Sequence, residues 1–192
     1  SYQSIFNDTR HSYTTGLSFM YDEFYERLND SIFTRTEEVS GAFFQYTYND
    51  LEKLQIIPGI RADYHNQYHW FFTPRLHVKY NINESTTLRA SAGRGYRTAN
   101  IISENIHLLA ASRTFKMTNA PQQEKAWNYG IHLSKHIDIL HREAQVNVEV
   151  FRTDFNNQMV INIDKDPHVI YISNLEGASF ANVLQAEFKY EP

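Results

Sequence analysis

The chain has no cysteine, only 7 glycines and 5 prolines in 192 residues, and no long apolar run. Each shortage excludes something. Without cysteine there is no disulfide framework and no thiolate chemistry. A transmembrane helix needs about 18 consecutive apolar residues, and none exist here. A basic excess is missing too: 18 Lys and Arg against 22 Asp and Glu leave a net charge of -4, which argues against a nucleic-acid binder. No signal peptide is evident, and the chain opens on Ser-Tyr-Gln-Ser rather than Met. An exported protein would then be mature, or a piece of something larger. No Ser/His/Asp or paired-carboxylate arrangement gains support beyond the presence of the residue types. Neither an enzyme nor a resident cofactor or metal site is expected.

Aromatic residues are abundant: 15% of the chain, with 13 Tyr and 13 Phe. They favour strands, and a period of two recurs almost everywhere. From Leu54 to Tyr64 the residues Leu54, Ile56, Pro58, Ile60 and Ala62 alternate with Gln55, Ile57, Gly59, Arg61 and Asp63. Leu76, Val78 and Tyr80 alternate with Arg75, His77 and Lys79, and after a polar turn over 81–85 Leu88, Ala90 and Ala92 alternate with Arg89, Ser91 and Gly93. Similar patterns cover 11–25, 37–48, 126–136 and 142–163. A last run over 168–190 is interrupted near Gly177, where a bulge is natural. Successive strand side chains point to opposite faces. The sequence therefore predicts an all-β antiparallel up-and-down meander of about nine strands, one face apolar and the other charged.

Which face meets water decides the class. A soluble antiparallel sandwich or small barrel that binds a ligand or partner shows the same alternation. Three features favour a membrane barrel instead. Connections over 7–10, 49–53, 81–85 and 137–141 are short, whereas 26–36, 65–71 and 97–124 read as longer and irregular, the asymmetry of an outer-membrane barrel. The strands exceed the usual five or six residues. Tyr48, Tyr80 and Tyr190 sit at the short-turn ends of the apolar faces, and Tyr64, Tyr96 and Trp127 at the other ends, as two interfacial girdles would. On this orientation Leu76, Val78, Leu88, Ile131, Val146 and Val148 meet lipid, while Arg61, Asp63, Arg75, Lys79, Arg89, His132 and Glu149 line the interior.

Several stretches resemble the barrel of TonB-dependent outer-membrane receptors of the ferric-siderophore and cobalamin type. They are Phe72-Thr-Pro-Arg-Leu76 with Thr87-Leu-Arg-Ala-Ser-Ala-Gly-Arg-Gly-Tyr-Arg97, Glu124-Lys-Ala-Trp-Asn-Tyr-Gly130, Val148-Glu-Val-Phe-Arg-Thr-Asp-Phe155 and Ile57-Pro-Gly-Ile-Arg-Ala-Asp63. The resemblance implies a 22-stranded barrel plugged by an amino-terminal domain, importing a scarce, bulky nutrient such as an iron–siderophore complex, haem or cobalamin. It also implies outer-membrane lipid, the plug and the TonB complex as partners of the parent protein. This sequence departs from that pattern: about nine strands, no plug domain and no TonB-contacting segment. The expectation is a single barrel segment over 1–192 forming a curved open sheet whose edges can pair with a copy of itself. A complete eight-stranded barrel is the competing architecture.

Ligand capture on this reading falls to the longer loops. Tyr64-His-Asn-Gln-Tyr-His-Trp-Phe71 concentrates aromatics and two imidazoles, so His65, Tyr68, His69 and Trp70 are candidate contacts to a flat ligand or metal chelate. An interfacial aromatic belt explains the same residues. Arg97 and Arg113 are candidates for holding an anionic siderophore, or equally for touching lipid headgroups.

Overall fold

The computed structural model describes residues 2–7, 10–28, 31–50, 52–105, 107, 113–140 and 142–190. Twelve strands and one short helix follow in order: β1 (Tyr2–Asn7), β2 (His11–Leu28), β3 (Ser31–Asn49), β4 (Leu54–His65), β5 (His69–Asn83), β6 (Thr86–Arg97), α1 (Ile101–Glu104), β7 (Thr114–Met117), β8 (Glu124–Ile139), β9 (Arg142–Asn156), β10 (Met159–Asn162), β11 (Val169–Asn174) and β12 (Ala178–Tyr190). Nine form one antiparallel sheet in the order β1-β2-β3-β4-β5-β6-β8-β9-β12. The sheet is open, with β1 and β12 at its edges. A second sheet has the order β10-β11-β7, and its β11–β7 pair is parallel.

Register carries the alternation across the strands. Ile60 pairs with Phe44 and with Pro74, while Arg61 pairs with Phe43 and with Thr73. Farther along, Leu88, Leu133, Val148 and Ala186 form one cross-strand row, and Arg89, His132, Glu149 and Gln185 form the adjacent one. A one-residue slip would reverse every side chain, so such strict segregation fixes the register.

The apolar rows are uncovered. Leu17 is 62% exposed, Ile131 57%, Val150 50% and Leu184 74%. Among the described residues the buried apolar side chains are only Ala99, Ala144, Ile170 and Ile172. A water-soluble sandwich would bury those rows against a second layer; among the described residues no layer lies on them. On β5 the outward row runs from Tyr80 to Trp70. Ten steps at about 3.4 Å span roughly 34 Å, which at a tilt of about 40° gives a height near 26 Å, close to the apolar band of about 25 Å on outer-membrane barrels.

Three sequence expectations change. The stretch 26–36 is not a loop: β2 and β3 stay paired out to Leu28↔Ser31. The stretch 65–71 is likewise a tight turn, with His65 paired to His69. Both hairpins extend as ladders whose polar sequence resembles a loop, because strand leaving the apolar band has no need of an apolar face. The long connection expected over 97–124 is present as 98–123, a second spans 157–177, and together they hold the small sheet. Gly177, at φ 115°, is not a bulge within a strand; it makes the left-handed step from β11 into β12.

Candidate ligand site on the concave face

The inward rows carry paired charge. Arg61 donates from Nε to Asp63 Oδ2 at 2.7 Å and from one terminal nitrogen to Asp63 Oδ1 and Ser18 Oγ, both at 2.6 Å. Gly41 makes room for this cluster, since a Cβ there would lie 2.0 Å from Asp63 Oδ1. Arg75 donates to Gln45 at 2.6 Å. Toward the turn end Arg89 lies 3.1 Å from His132, which is 3.6 Å from Glu149. Opposite signs thus neutralise one another along the inward face.

A denser cluster lies at the end bearing the long connections. Arg35 and Glu37 share the inward face of β3 and form an ion pair at 2.9 Å. The Arg35 guanidinium also stacks 4.4 Å from the Phe24 ring and bonds the Asn100 side chain. That last bond ties the 98–123 connection back across the sheet onto β3. His65, 2% exposed, accepts a hydrogen bond at Nδ1 from the Gln67 backbone N–H at 3.0 Å. Its proton therefore sits on Nε2, which points toward Glu37 from 3.9 Å without a hydrogen-bond partner among the described residues. Tyr68 packs edge-on against His65 at 4.9 Å, and burial raises its phenol pKa. Glu37, Arg61, Asp63, His65, Phe71 and Arg75 line a depression of about 730 Å³ on the concave face. A second hollow of about 430 Å³, near the turn end, has Lys79, Arg89, His132, Glu149 and Phe151 in its walls.

Of the six sequence-predicted contacts, His65 and Tyr68 come together at the cluster. His69 (φ 59°) tilts against the Tyr64 ring, at 6.1 Å, and Trp70 turns outward at 64% exposure onto Tyr64 and Phe72. These two belong to the girdle side of the hairpin. Arg97 is engaged by Glu124 at 2.6 Å and Glu104 at 3.2 Å. Its charge is spent on tethering the long connection. Arg113 is half-buried, next to residues outside the described set. Sequence reasoning missed Arg35, Glu37 and Asn100. The available signal was the Arg35-Thr-Glu37 spacing, which puts opposite charges on one face of a strand, as in Arg61-Ala-Asp63.

The long connections are bound to each other. β11 runs parallel to β7, with Ile170 opposite Phe115, and Ile170 and Ile172 are fully buried. Asn174 accepts from the Gln122 N–H at 2.9 Å and donates to the Asn157 carbonyl at 2.6 Å. Glu124 uses its other oxygen to accept the Met159 N–H at 2.7 Å. The result is a structured cap rising from the sheet end beside the depression.

The sequence profile described as "TonB dependent receptor-like, beta-barrel" matches residues 1–181. No curated protein matches the chain in sequence. Solved structures match its fold at low identity. A ferric enterobactin receptor mutant of Pseudomonas aeruginosa in complex with enterobactin aligns with a TM-score of 0.73 at 13% identity, covering 96% of this chain and 32% of that one. The siderophore receptor PirA of the same organism gives 0.69 at 14%, covering 98% and 35%. The Serratia marcescens hemophore receptor HasR, with its hemophore HasA and heme, gives 0.69 at 13%, covering 99% and 38%. The chain thus spans about a third of each of these structures.

Proposed function

The chain belongs to the TonB-dependent receptor family as a stretch of barrel wall in the Gram-negative outer membrane, and from that premise we propose that it forms part of a receptor importing an iron–siderophore complex, haem, cobalamin or a similar large nutrient. Members of this family are transporters, not enzymes. The exposed aliphatic rows and the family together displace the soluble-sandwich alternative.

The observation carrying the proposal is the 730 Å³ depression with paired charges, bordered by Thr98 and Gln123 at the two ends of the 98–123 connection, and a buried His65 Nε2 with no hydrogen-bond partner among the described residues. It offers donors, acceptors and the Phe71 ring to a polar ligand on an open face of the sheet. In the parent receptor this segment supplies one part of the wall, a plug domain occupies the lumen, and the TonB complex supplies energy through the parent. His65, Tyr68 and Arg75 contact the nutrient on this reading; His69, Trp70, Arg97 and Arg113 act at the rim.

The test uses the full receptor. Binding of ferric siderophores, haem and cobalamin is followed by quenching of its tryptophan fluorescence, with uptake measured in cells with and without a protonophore. One ligand class is expected to bind, with protonophore-sensitive uptake and affinity about tenfold weaker in His65→Ala or Arg75→Ala, the loss of one hydrogen-bonding side chain. Binding and uptake unaffected by either substitution would remove the depression from the ligand path.

A further inference from the structure

The turn from β4 into β5, over 66–68, is held by a few bonds, and one of them runs through a group that titrates. Asn66 ties the turn to β3: its N–H donates to the Glu38 carbonyl at 3.0 Å, and its side chain to the Thr36 carbonyl at 2.9 Å. The Gln67 N–H donates to His65 Nδ1 at 3.0 Å, and Tyr68 rests edge-on against the same ring at 4.9 Å. His65 thus anchors the far half of the turn, one residue past Tyr64 of the outward row.

That anchor works only while the ring is neutral. An imidazolium carries N–H on both nitrogens, so its new N–H would face the Gln67 N–H, donor against donor, across 3.0 Å. The surroundings return little for that loss. The ring is 2% exposed, and Glu37 Oε2 on β3 stands 3.9 Å from Nε2, beyond hydrogen-bond reach. Glu37 is already met by Arg35 at 2.9 Å. On β4, Arg61 and Asp63 pair with each other at 2.6 Å. From β2, Asp22 lies opposite Glu37 and is exposed to water, while β5 sets the apolar Phe71 opposite Asp63. Burial lowers the His65 pKa below the ordinary 6.5 against the raising pull of Glu37, and Arg35 lowers it further.

We propose that His65 is an acid-sensitive latch on the β4–β5 turn, whose protonation frees Gln67 and Tyr68 and withdraws the imidazole from the wall of the concave depression. Opening exposes the ring to water, where it takes up a proton; the turn recloses only when that proton leaves. The folded value is the lower one, so the latch holds fully above 6.5 and its hold is lost as pH falls toward the folded value. Asn66 stays tied to β3, which confines the movement to the ring and residues 67–68. The device follows from the geometry of the turn and is the same whichever nutrient is carried.

The test is hydrogen–deuterium exchange of the full receptor in lipid nanodiscs, from about pH 7.5 down to about pH 5, read by mass spectrometry on the peptide covering 65–71. Each rate is divided by the intrinsic rate at that pH, which leaves the opening equilibrium. Protection is expected to be flat above 6.5 and to fall below it, approaching the one-proton limit of about tenfold per pH unit. His65→Asn puts a non-titrating acceptor where Nδ1 sits and is expected to give a flat profile. His69→Asn removes the other imidazole of the turn and is expected to keep the parent's decline. Heat-dependent gel mobility confirms that each variant is a folded barrel; if His65→Asn is not, the parent and His69→Asn profiles decide. A flat parent profile, protection that rises in acid, or a decline that persists in folded His65→Asn would overturn the proposal. So would loss of the decline in His69→Asn, or an equal decline in the β5–β6 turn peptide, which would report general acid destabilisation.

Discussion

Replacing Val148 with arginine should be costly, and replacing Asn147, one residue earlier, should not. Val148 lies at the middle of the outward row of β9, between Ala144 and Arg152, beside Leu133 on one neighbour and Ala186 on the other. Asn147 faces inward, accepting from Gln145 at 3.1 Å and donating to Glu187 at 3.2 Å. A guanidinium on the lipid face at mid-depth costs about 2–4 kcal/mol. Since about 1.4 kcal/mol is a factor of ten, Val148→Arg should shift the folded-to-unfolded ratio by roughly 30- to 700-fold. Asn147→Arg gives up hydrogen bonds with a net value of about 1 kcal/mol each, but places its charge beside Glu187 and Glu149. Its net change should stay within about 1 kcal/mol. The assay is reversible denaturant unfolding of the full receptor in lipid vesicles, followed by tryptophan emission. A larger loss for Asn147→Arg than for Val148→Arg would refute the assignment of faces.

Other outcomes follow from the same geometry. A Cβ on Gly130 would fall 2.4 Å from the Phe151 ring, so Gly130→Val should cost about 1–3 kcal/mol in the same unfolding assay, and pairing it with Phe151→Ala should recover part of that loss. Arg35→Ala removes the bond to Asn100 and the ion pair to Glu37; limited proteolysis should then cut the 98–123 connection faster while the barrel stays resistant. Asp50 accepts the backbone N–H groups of Leu54, Glu52 and Lys53, and these, Leu54 foremost, hold its pKa below the ordinary 3.8. Because the folded value is the lower one, its stabilisation is full above the unfolded value and fades as pH falls through the folded one. Asp50→Asn should therefore destabilise the β3–β4 turn near neutrality, and the gap to the parent should close in acid, read by amide hydrogen exchange at Leu54.

The meander was legible where the two faces differ chemically. In 54–64 and 74–92 each outward residue is apolar and most inward ones are polar, so period and register follow directly. Legibility failed where strand leaves the band. Glu26 to Thr36 is mostly polar, with Arg, Thr, Ser, Asn, Asp and Glu, the composition of a loop, yet backbone pairing continues out to Leu28↔Ser31 because a ladder does not require an apolar face. Val169–Asn174 has a strand composition, but its parallel partner Thr114–Met117 lies about fifty residues earlier in the chain, a pairing that no local pattern encodes. The site was half visible for the same reason. His65 and Tyr68 are neighbours in sequence, whereas Arg35, Glu37 and Asn100 reach them only through the β3–β4 register and the fold of the long connection. Trp70 and Arg97 drew attention through residue type alone; Trp70 packs on Tyr64 and Phe72, and Arg97 pairs with Glu104 and Glu124.

The absence of cysteine from this chain makes its orientation open to a direct reading. Single cysteines placed in turn at 145 to 150 in the full receptor, in vesicles, can be challenged with a membrane-impermeant thiol reagent and, after attachment of a fluorophore, with brominated lipid. Strict alternation is predicted: bromine quenches at 146, 148 and 150, and the aqueous reagent reacts at 145, 147 and 149. Quenching at the odd positions, or no alternation at all, would contradict an oil-facing Val146, Val148 and Val150.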